Sequence, residues 1–181
     1  INSLNVSIGT SIEIKTFKSL NDIADKINMS QVARAPARFS INQLSRLNSD
    51  ILTQLDIRII SERLKEDGIL FDEGIWNVIK SNIKNISEYK DWDKIIKGSI
   101  KVDNLDGSFM KLAENLLPPE PWGDGTWGDW IARIKESSDK TGKDLFLPLR
   151  RAITGLSNGP ELKNIILLMG YDKIKDRLSG K

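Results

Sequence analysis

The chain predicts an all-α fold, a bundle of short antiparallel helices in two helical subdomains. Three observations predict it. Apolar residues recur every three or four positions along most of the sequence, the period of a one-sided helix. Strand-type alternation persists nowhere beyond a few residues, Ser11–Lys15 being the single weak candidate. Leu117–Thr126 carries three prolines and two glycines in ten residues, a density that no helix or strand interior accepts, so it reads as a linker or long ordered loop between two helical groups.

Leu20, Ile23, Ala24 and Ile27 keep helical spacing, with Ser19 or Asn21 available as a cap. Residues 32–38 read as loop, because Pro36 disfavours helical geometry at Ala35. Ser40 then caps a helix along which Ile41, Leu44, Leu47, Ile51 and Leu55 lie three or four apart. A third helix carries Ile60 and Leu64 and stops at Gly68. A fourth is expected from about Asp72, with Ile75, Val78, Ile79, Ile83 and Ile86 on one side. Ser87 or Asp91 opens a shorter one around Trp92, Ile95 and Ile96. Asp106 introduces Phe109, Leu112 and Leu116. Beyond the Pro/Gly segment, Thr126 is expected to cap a helix that turns Trp127, Trp130, Ile131 and Ile134 inward. A helix around Phe146–Thr154 follows, then one from Pro160 to Met169 with Gly170 as its stop, and a last basic helix from about Asp172 to Leu178.

Composition narrows the function. A chain of 181 residues with 39% hydrophobic and 29% charged residues has enough apolar material for a real core and is not a disordered polyampholyte. No apolar run approaches a membrane span, and Ile1-Asn-Ser-Leu lacks the regions of a signal peptide, so a cytoplasmic location without membrane attachment is expected. The sequence holds no cysteine and no histidine. Disulfides, thiolate or imidazole metal sites and histidine-based triads are therefore excluded, and no catalytic residue or metal site is assigned. Net charge is only +2, yet residues 141–181 hold eight Lys or Arg against four acids, leaving 1–140 slightly acidic.

That basic surplus falls on the most informative segment, Thr141–Leu162. An apolar helix ends in Arg150-Arg151, stops at Thr154-Gly155 and is followed by Gly159-Pro160-Glu161-Leu162. Gly155 suits a left-handed helix end, and Pro160 with Glu161 suits a helix start. Guanidinium groups beside such a start are suited to phosphates and base edges. The plainer alternative for Arg150 is a helix-end cation that caps carbonyls or pairs with Asp144. Trp76, Trp92, Trp127 and Trp130 sit at core spacing, which leaves Trp122 as the exposed aromatic. Glu66-Asp67, Asp72-Glu73, Asp91 and Asp93 flank helix ends, where capping explains them better than a metal does.

The residues Leu145-Phe-Leu-Pro-Leu-Arg150-Arg-Ala-Ile-Thr-Gly155, followed by Gly159-Pro-Glu-Leu162, resemble the C-terminal signature of bacterial glutamyl-tRNA synthetases. Upstream, Pro36-Ala-Arg38-Phe39 with Leu44 and Leu47-Asn48 is similar to a stretch of the same family that bridges its catalytic fold to the anticodon end, and Asn2-Ser-Leu with Gly9-Thr fits the piece before it. Residues 57–115 match nothing position by position. The resemblance implies a tRNA-contacting part: 1–55 as the end of the stem-contact region, 56–115 as a first anticodon-binding subdomain and 116–181 as a second. It implies that Arg150 reaches an anticodon base and that Leu162 lies against the anticodon, plain core packing being the equal alternative for Leu162. Arg151, Thr154 and Pro160 complete the expected tRNA-binding set, and Arg34 and Arg38 are candidates for the tRNA stem. The implied partner is the tRNA for glutamate and the implied state a monomer. ATP and Mg²⁺ would belong to a catalytic Rossmann domain whose His-Ile-Gly-His and Lys-Met-Ser-Lys type sequences this chain does not contain, so the chain alone is expected to be inactive. In the family an arginine of the helical region reads the first anticodon position; Arg58 and Arg63 lie in a plausible helix, but no motif anchors either to that role and both are left unassigned. A free-standing helical RNA-binding module and a protein-interaction scaffold remain alternatives at this point.

Overall fold

The structure, a computed structural model, describes residues 20–25, 28, 30 and 40–180. Ser11–Lys15, the loop at 32–38, and Arg34 and Arg38 lie outside the described residues. Among those described, every regular element is helical. The chain divides into two compact units, residues 1–70 with 80–88, and residues 71–79 with 89–181.

In the first unit, α1 (Leu20–Ala24) is a single short helix. Helix α2 (Ile41–Gln54) starts where Ser40 accepts a hydrogen bond from the Gln43 amide at 3.4 Å. It buries Leu47 and Leu52. Helix α3 (Ile57–Glu66) is capped by Asp56, whose carboxylate accepts from the Arg58 amide and also grips the Arg58 guanidinium through Nε and Nη2. Its stripe is Ile60 and Leu64, and Gly68 follows with φ +71°, a conformation that costs glycine little. Residues 80–88 tie back to α2 through Ser49, which donates to the Ile83 carbonyl at 2.9 Å.

The second unit assembles around the chain's last helix. Helix α4 (Glu73–Ile79) is shorter than its apolar spacing predicts. Ile83 and Ile86 do not extend it, because the chain turns after Ile79. A side-chain carboxylate offers the backbone an alternative there: Glu88 accepts from the amides of Lys84 and Asn85 at 3.0 and 3.1 Å, closing a turn instead of a helical ring. Ile83 is nonetheless fully buried, so the apolar period reported burial and not helix.

Helix α5 (Glu88–Lys97) buries Tyr89, Trp92 and Ile96. Helix α6 (Gly107–Asn115) has Asp106 as its cap, accepting from the Phe109 amide at 3.1 Å. Helix α7 (Thr126–Ser137) follows the Pro/Gly segment. Thr126 was expected to cap it, but it is the first helical residue, and its hydroxyl accepts from the Gly123 amide at 2.9 Å, bracing the loop. Trp130 is completely buried and satisfies its indole N–H on the Ala113 carbonyl at 2.9 Å, locking α7 to α6.

Helix α8 (Gly142–Thr154) and helix α9 (Leu162–Ser179) complete the unit. Helix α9 packs against α4, α6, α7 and α8. It is two helical segments joined at Gly170, where φ is +75° and ψ 171°. The expected stop at Gly170 is therefore a break after which the chain resumes helix at once.

The basic final segment differs from its sequence appearance. Arg177 is buried, with 4% of its surface exposed, and Nη2 donates to the carbonyls of Ile95 at 2.6 Å and Gly98 at 3.0 Å. Lys173 donates to the carbonyls of Ile96, at 3.1 Å, and Lys97. These two cations thus cover the orphan carbonyls at the end of α5. Desolvation lowers the pKa of both groups from their ordinary values.

Candidate nucleic-acid interface

The site grows out of α8. Leu145, Leu149, Ala152 and Ile153 form its buried stripe, all at most 1% exposed. Each of the larger side chains contributes roughly 1.5–3 kcal/mol by burial. That packing holds the helix together across Pro148, whose missing amide would otherwise cost about 3 kcal/mol in a helix interior. Phe146 and Arg150 lie four residues apart, hence on one face beside that stripe.

Gly155 ends α8 in the left-handed conformation, φ +73°, and its amide bonds to the Arg151 carbonyl. Thr154 is buried, and its hydroxyl donates to the Arg150 carbonyl at 2.8 Å while accepting from the Leu156 amide at 3.2 Å. These bonds fold the chain back towards α9. Helix α9 begins at Leu162 with Glu161 as its cap residue, two positions later than the expected start at Pro160. Glu161 makes no side-chain cap; its carboxylate pairs with Lys163 at 2.8 Å. Pro160 is buried just outside the helix, where its fixed φ stiffens the entry.

The result is an open groove of about 350 Å³ lined by Trp127, Phe146, Arg150, Glu161, Leu162 and Lys163. Trp127 and Phe146 stack, with ring centroids 6.2 Å apart and planes at 29°. Trp127 also meets Trp130 edge-on at 5.7 Å, which anchors the exposed ring pair to the core.

Arg150 is the electrostatic centre. Its guanidinium is half-buried and, among the described residues, forms no ion pair; the alternative pairing with Asp144 is not made. Its Nη1 is fully buried without a hydrogen-bond partner. Burial alone shifts its pKa down, with no acid to offset it, but a guanidinium keeps its proton under any ordinary condition. A partly desolvated fork of donors beside two aromatic faces is a receptor for a planar group that carries acceptors.

Of the expected residues, the groove brings together Arg150 and Leu162. Pro160 and Thr154 are buried in the turn that shapes it. Arg151 is exposed and does not line it. Trp127 was expected in the core; it is half-exposed and forms a wall, whereas Trp76, Trp92 and Trp130 are buried as expected. Phe146 and Lys163 also line the groove. The signal for Phe146 was its four-residue spacing from Arg150. Trp122 is half-exposed, its N–H donated to the Pro118 carbonyl at 2.9 Å and its ring edge-on to Tyr171 at 6.0 Å.

Comparison with known proteins agrees with this geometry. Residues 98–180 match the family model described as the anticodon binding domain. The chain is 35% identical over 182 residues to glutamate–tRNA ligase 1 of Parvibaculum lavamentivorans, covering 99% of this chain and 40% of that protein. It is 36% identical over 177 residues to glutamate–tRNA ligase 2 of Xanthobacter autotrophicus, covering 97% and 39%. The chain therefore spans about 40% of the length of these curated relatives. The fold matches the crystal structure of a glutamate-tRNA synthetase from Elizabethkingia anophelis, with a TM-score of 0.69 at 15% identity over 98% of this chain and 38% of that one. A glutamate tRNA ligase from Elizabethkingia meningosepticum, solved in complex with its amino acid, gives a TM-score of 0.70 at 16% identity, over 98% and 39%. Residues 98–180 thus match the anticodon binding domain, and nearly the whole chain is similar in sequence to one part of glutamate–tRNA ligases, whose helical fold it shares.

Proposed function

We propose that the chain binds the tRNA for glutamate through its anticodon loop, positioning that tRNA for an enzyme that attaches glutamate using ATP. The observation that carries the reading is the Arg150 guanidinium, which has a buried, unpartnered Nη1 at the edge of a groove walled by Trp127 and Phe146. An unpaired anticodon base offers what those groups lack. Its edge carries acceptors for the fork, and its ring is a planar face for the aromatic wall. A duplex would hide both. Leu162, at the start of α9, supplies an apolar floor to the same groove.

Arg151 is exposed and suits the ribose-phosphate backbone, which fixes register without reading sequence. Lys173 and Arg177 are spent on α5 carbonyls and are left out of that role. Arg34 and Arg38 remain proposed stem contacts on the strength of the resemblance alone. The chain contains neither the His-Ile-Gly-His nor the Lys-Met-Ser-Lys type sequence with which the family handles ATP; ATP and Mg²⁺ are assigned to a catalytic domain outside this sequence. Among the described residues no helix is long and apolar enough to cross a membrane, and the proposed enzyme is monomeric and cytoplasmic.

The test is Arg150→Ala in the full-length enzyme, with tRNA affinity measured by filter binding and charging measured at varied tRNA. Loss of one specific arginine–base contact, about 1–3 kcal/mol, raises Kd and KM by roughly five- to 150-fold. An unchanged kcat/KM for the glutamate tRNA would reject the role.

A further inference from the structure

We infer that Trp92, a residue of α5 outside the groove, is a positioning residue for Arg150 and acts through the backbone of Gly159. The inference rests on the proposed role of Arg150 and asks what holds that side chain in a receptive state.

Gly159 lies in the turn between α8 and α9 with φ +141°, a conformation that side-chain-bearing residues rarely adopt. The space around it is equally restrictive. A Cβ at this position would lie 2.7 Å from Trp92 Cη2 and 2.9 Å from Cζ2, and 3.5 Å from Arg150 Nη1. The Gly159 backbone thus sits directly on the edge of the Trp92 ring, with the Arg150 guanidinium beside it. Trp92 is only 7% exposed, and a buried indole cannot move aside as the end of a flexible side chain would.

Three consequences follow from that stack. The ring sets how far the 155–160 turn can descend towards α5, so it fixes the height of the wall beside Arg150. The bare Cα of Gly159 lets that wall come close enough to bury Nη1 without supplying an acceptor. The guanidinium is then held partly dehydrated, with a donor already stripped of water before any base arrives. With Nη1 packed under the turn the guanidinium is fixed in place, so little side-chain freedom is left to lose when a base meets its remaining donors. Trp92 thereby converts a surface arginine into a preorganised one. An ordinary core tryptophan packs on other side chains, and its loss would loosen the fold without a selective effect on one arginine.

The test is a double-mutant cycle in the full-length enzyme between Trp92→Phe, which removes the ring edge that meets Gly159, and Arg150→Ala. Affinity for the glutamate tRNA, charging kinetics and thermal unfolding are read for each variant. Trp92→Phe is expected to raise Kd and the KM for tRNA roughly three- to tenfold. Its kcat at saturating tRNA should stay unchanged, and in the Arg150→Ala background it should have little further effect on Kd. Trp92→Phe that lowers Tm but leaves KM alone, or that weakens binding equally in both backgrounds, overturns the positioning role while leaving Arg150 as the base contact. Arg150→Ala that binds tRNA as tightly as the parent overturns the underlying reading, and this inference with it. Should Trp92→Phe not fold, Trp92→Leu removes the same ring edge while keeping an apolar side chain, and the same cycle with Arg150→Ala decides the question by the same criterion.

Discussion

Phe146 and Trp127, from α8 and α7, stack at 6.2 Å on the rim of the groove, and Phe146 keeps 37% of its surface exposed. A buried aromatic pair would serve the core. This one is partly exposed, and on the proposed reading a base is the third member of the stack. Replacing Phe146 with Ala should weaken tRNA binding by about 1–3 kcal/mol, the range for one stacked base. Chemical unfolding should shift little. Filter binding and a urea titration of the same variant separate the two effects.

Arg151 and Arg177 read alike in the sequence and sit in opposite surroundings. Arg151 is exposed; Arg177 bonds two carbonyls and is 4% exposed. Arg151→Ala should weaken tRNA binding and reduce the slope of log K against log salt by about 1, the signature of one lost phosphate contact. Arg177→Met should leave that slope alone. It should instead lower unfolding stability by about 1.5–3 kcal/mol, because the part-buried carbonyls of Ile95 and Gly98 lose a charged donor.

Asp106 links local capping to acid sensitivity. The Ser108 hydroxyl at 2.6 Å, then the Phe109 amide, then Lys140 lower its pKa from 3.8 to about 2. Because the folded value lies below the unfolded one, its stabilising effect is present above pH 3.8 and is lost as pH falls towards 2. Asp106→Ala should therefore flatten the pH dependence of thermal stability across that window, as followed by circular dichroism at a series of pH values.

Gly170 offers a backbone test free of steric complications. Nothing lies within 4 Å of a Cβ built there, while φ is +75° and ψ 171°. Gly170→Ala should cost about 1–3 kcal/mol from conformational strain alone. A thermal shift near zero would show that the break can relax.

The helices were legible wherever a side chain with one local task met an apolar period. Ser40 and Asp106 cap as their positions suggest, and Gly155 ends α8 in the left-handed conformation. The period failed at Ile83, which is buried without being helical, because burial on one face looks the same in a turn as in a helix. Thr126 and Glu161 were misplaced by a residue or two. Their side chains had competing partners, Gly123 and Lys163, that a helix template does not contain. Of the groove, Arg150 and Leu162 came from the segment itself, whereas Trp127 and Lys163 depend on how α7 and α9 approach α8. Charge was the least readable quantity: nothing in the local pattern distinguishes Arg177, which reaches carbonyls some eighty positions away, from its solvated neighbours.

The break at Gly170 gives α9 two independent angular settings. Each residue of a continuous helix turns the next by about 100°, so a single insertion near Leu162 would swing every later side chain around the axis. Here the segment that carries Leu162 and Lys163 into the groove is phased separately from the segment that sends Lys173 and Arg177 onto α5. The half that lines the groove is thus set apart in phase from the half that anchors the unit.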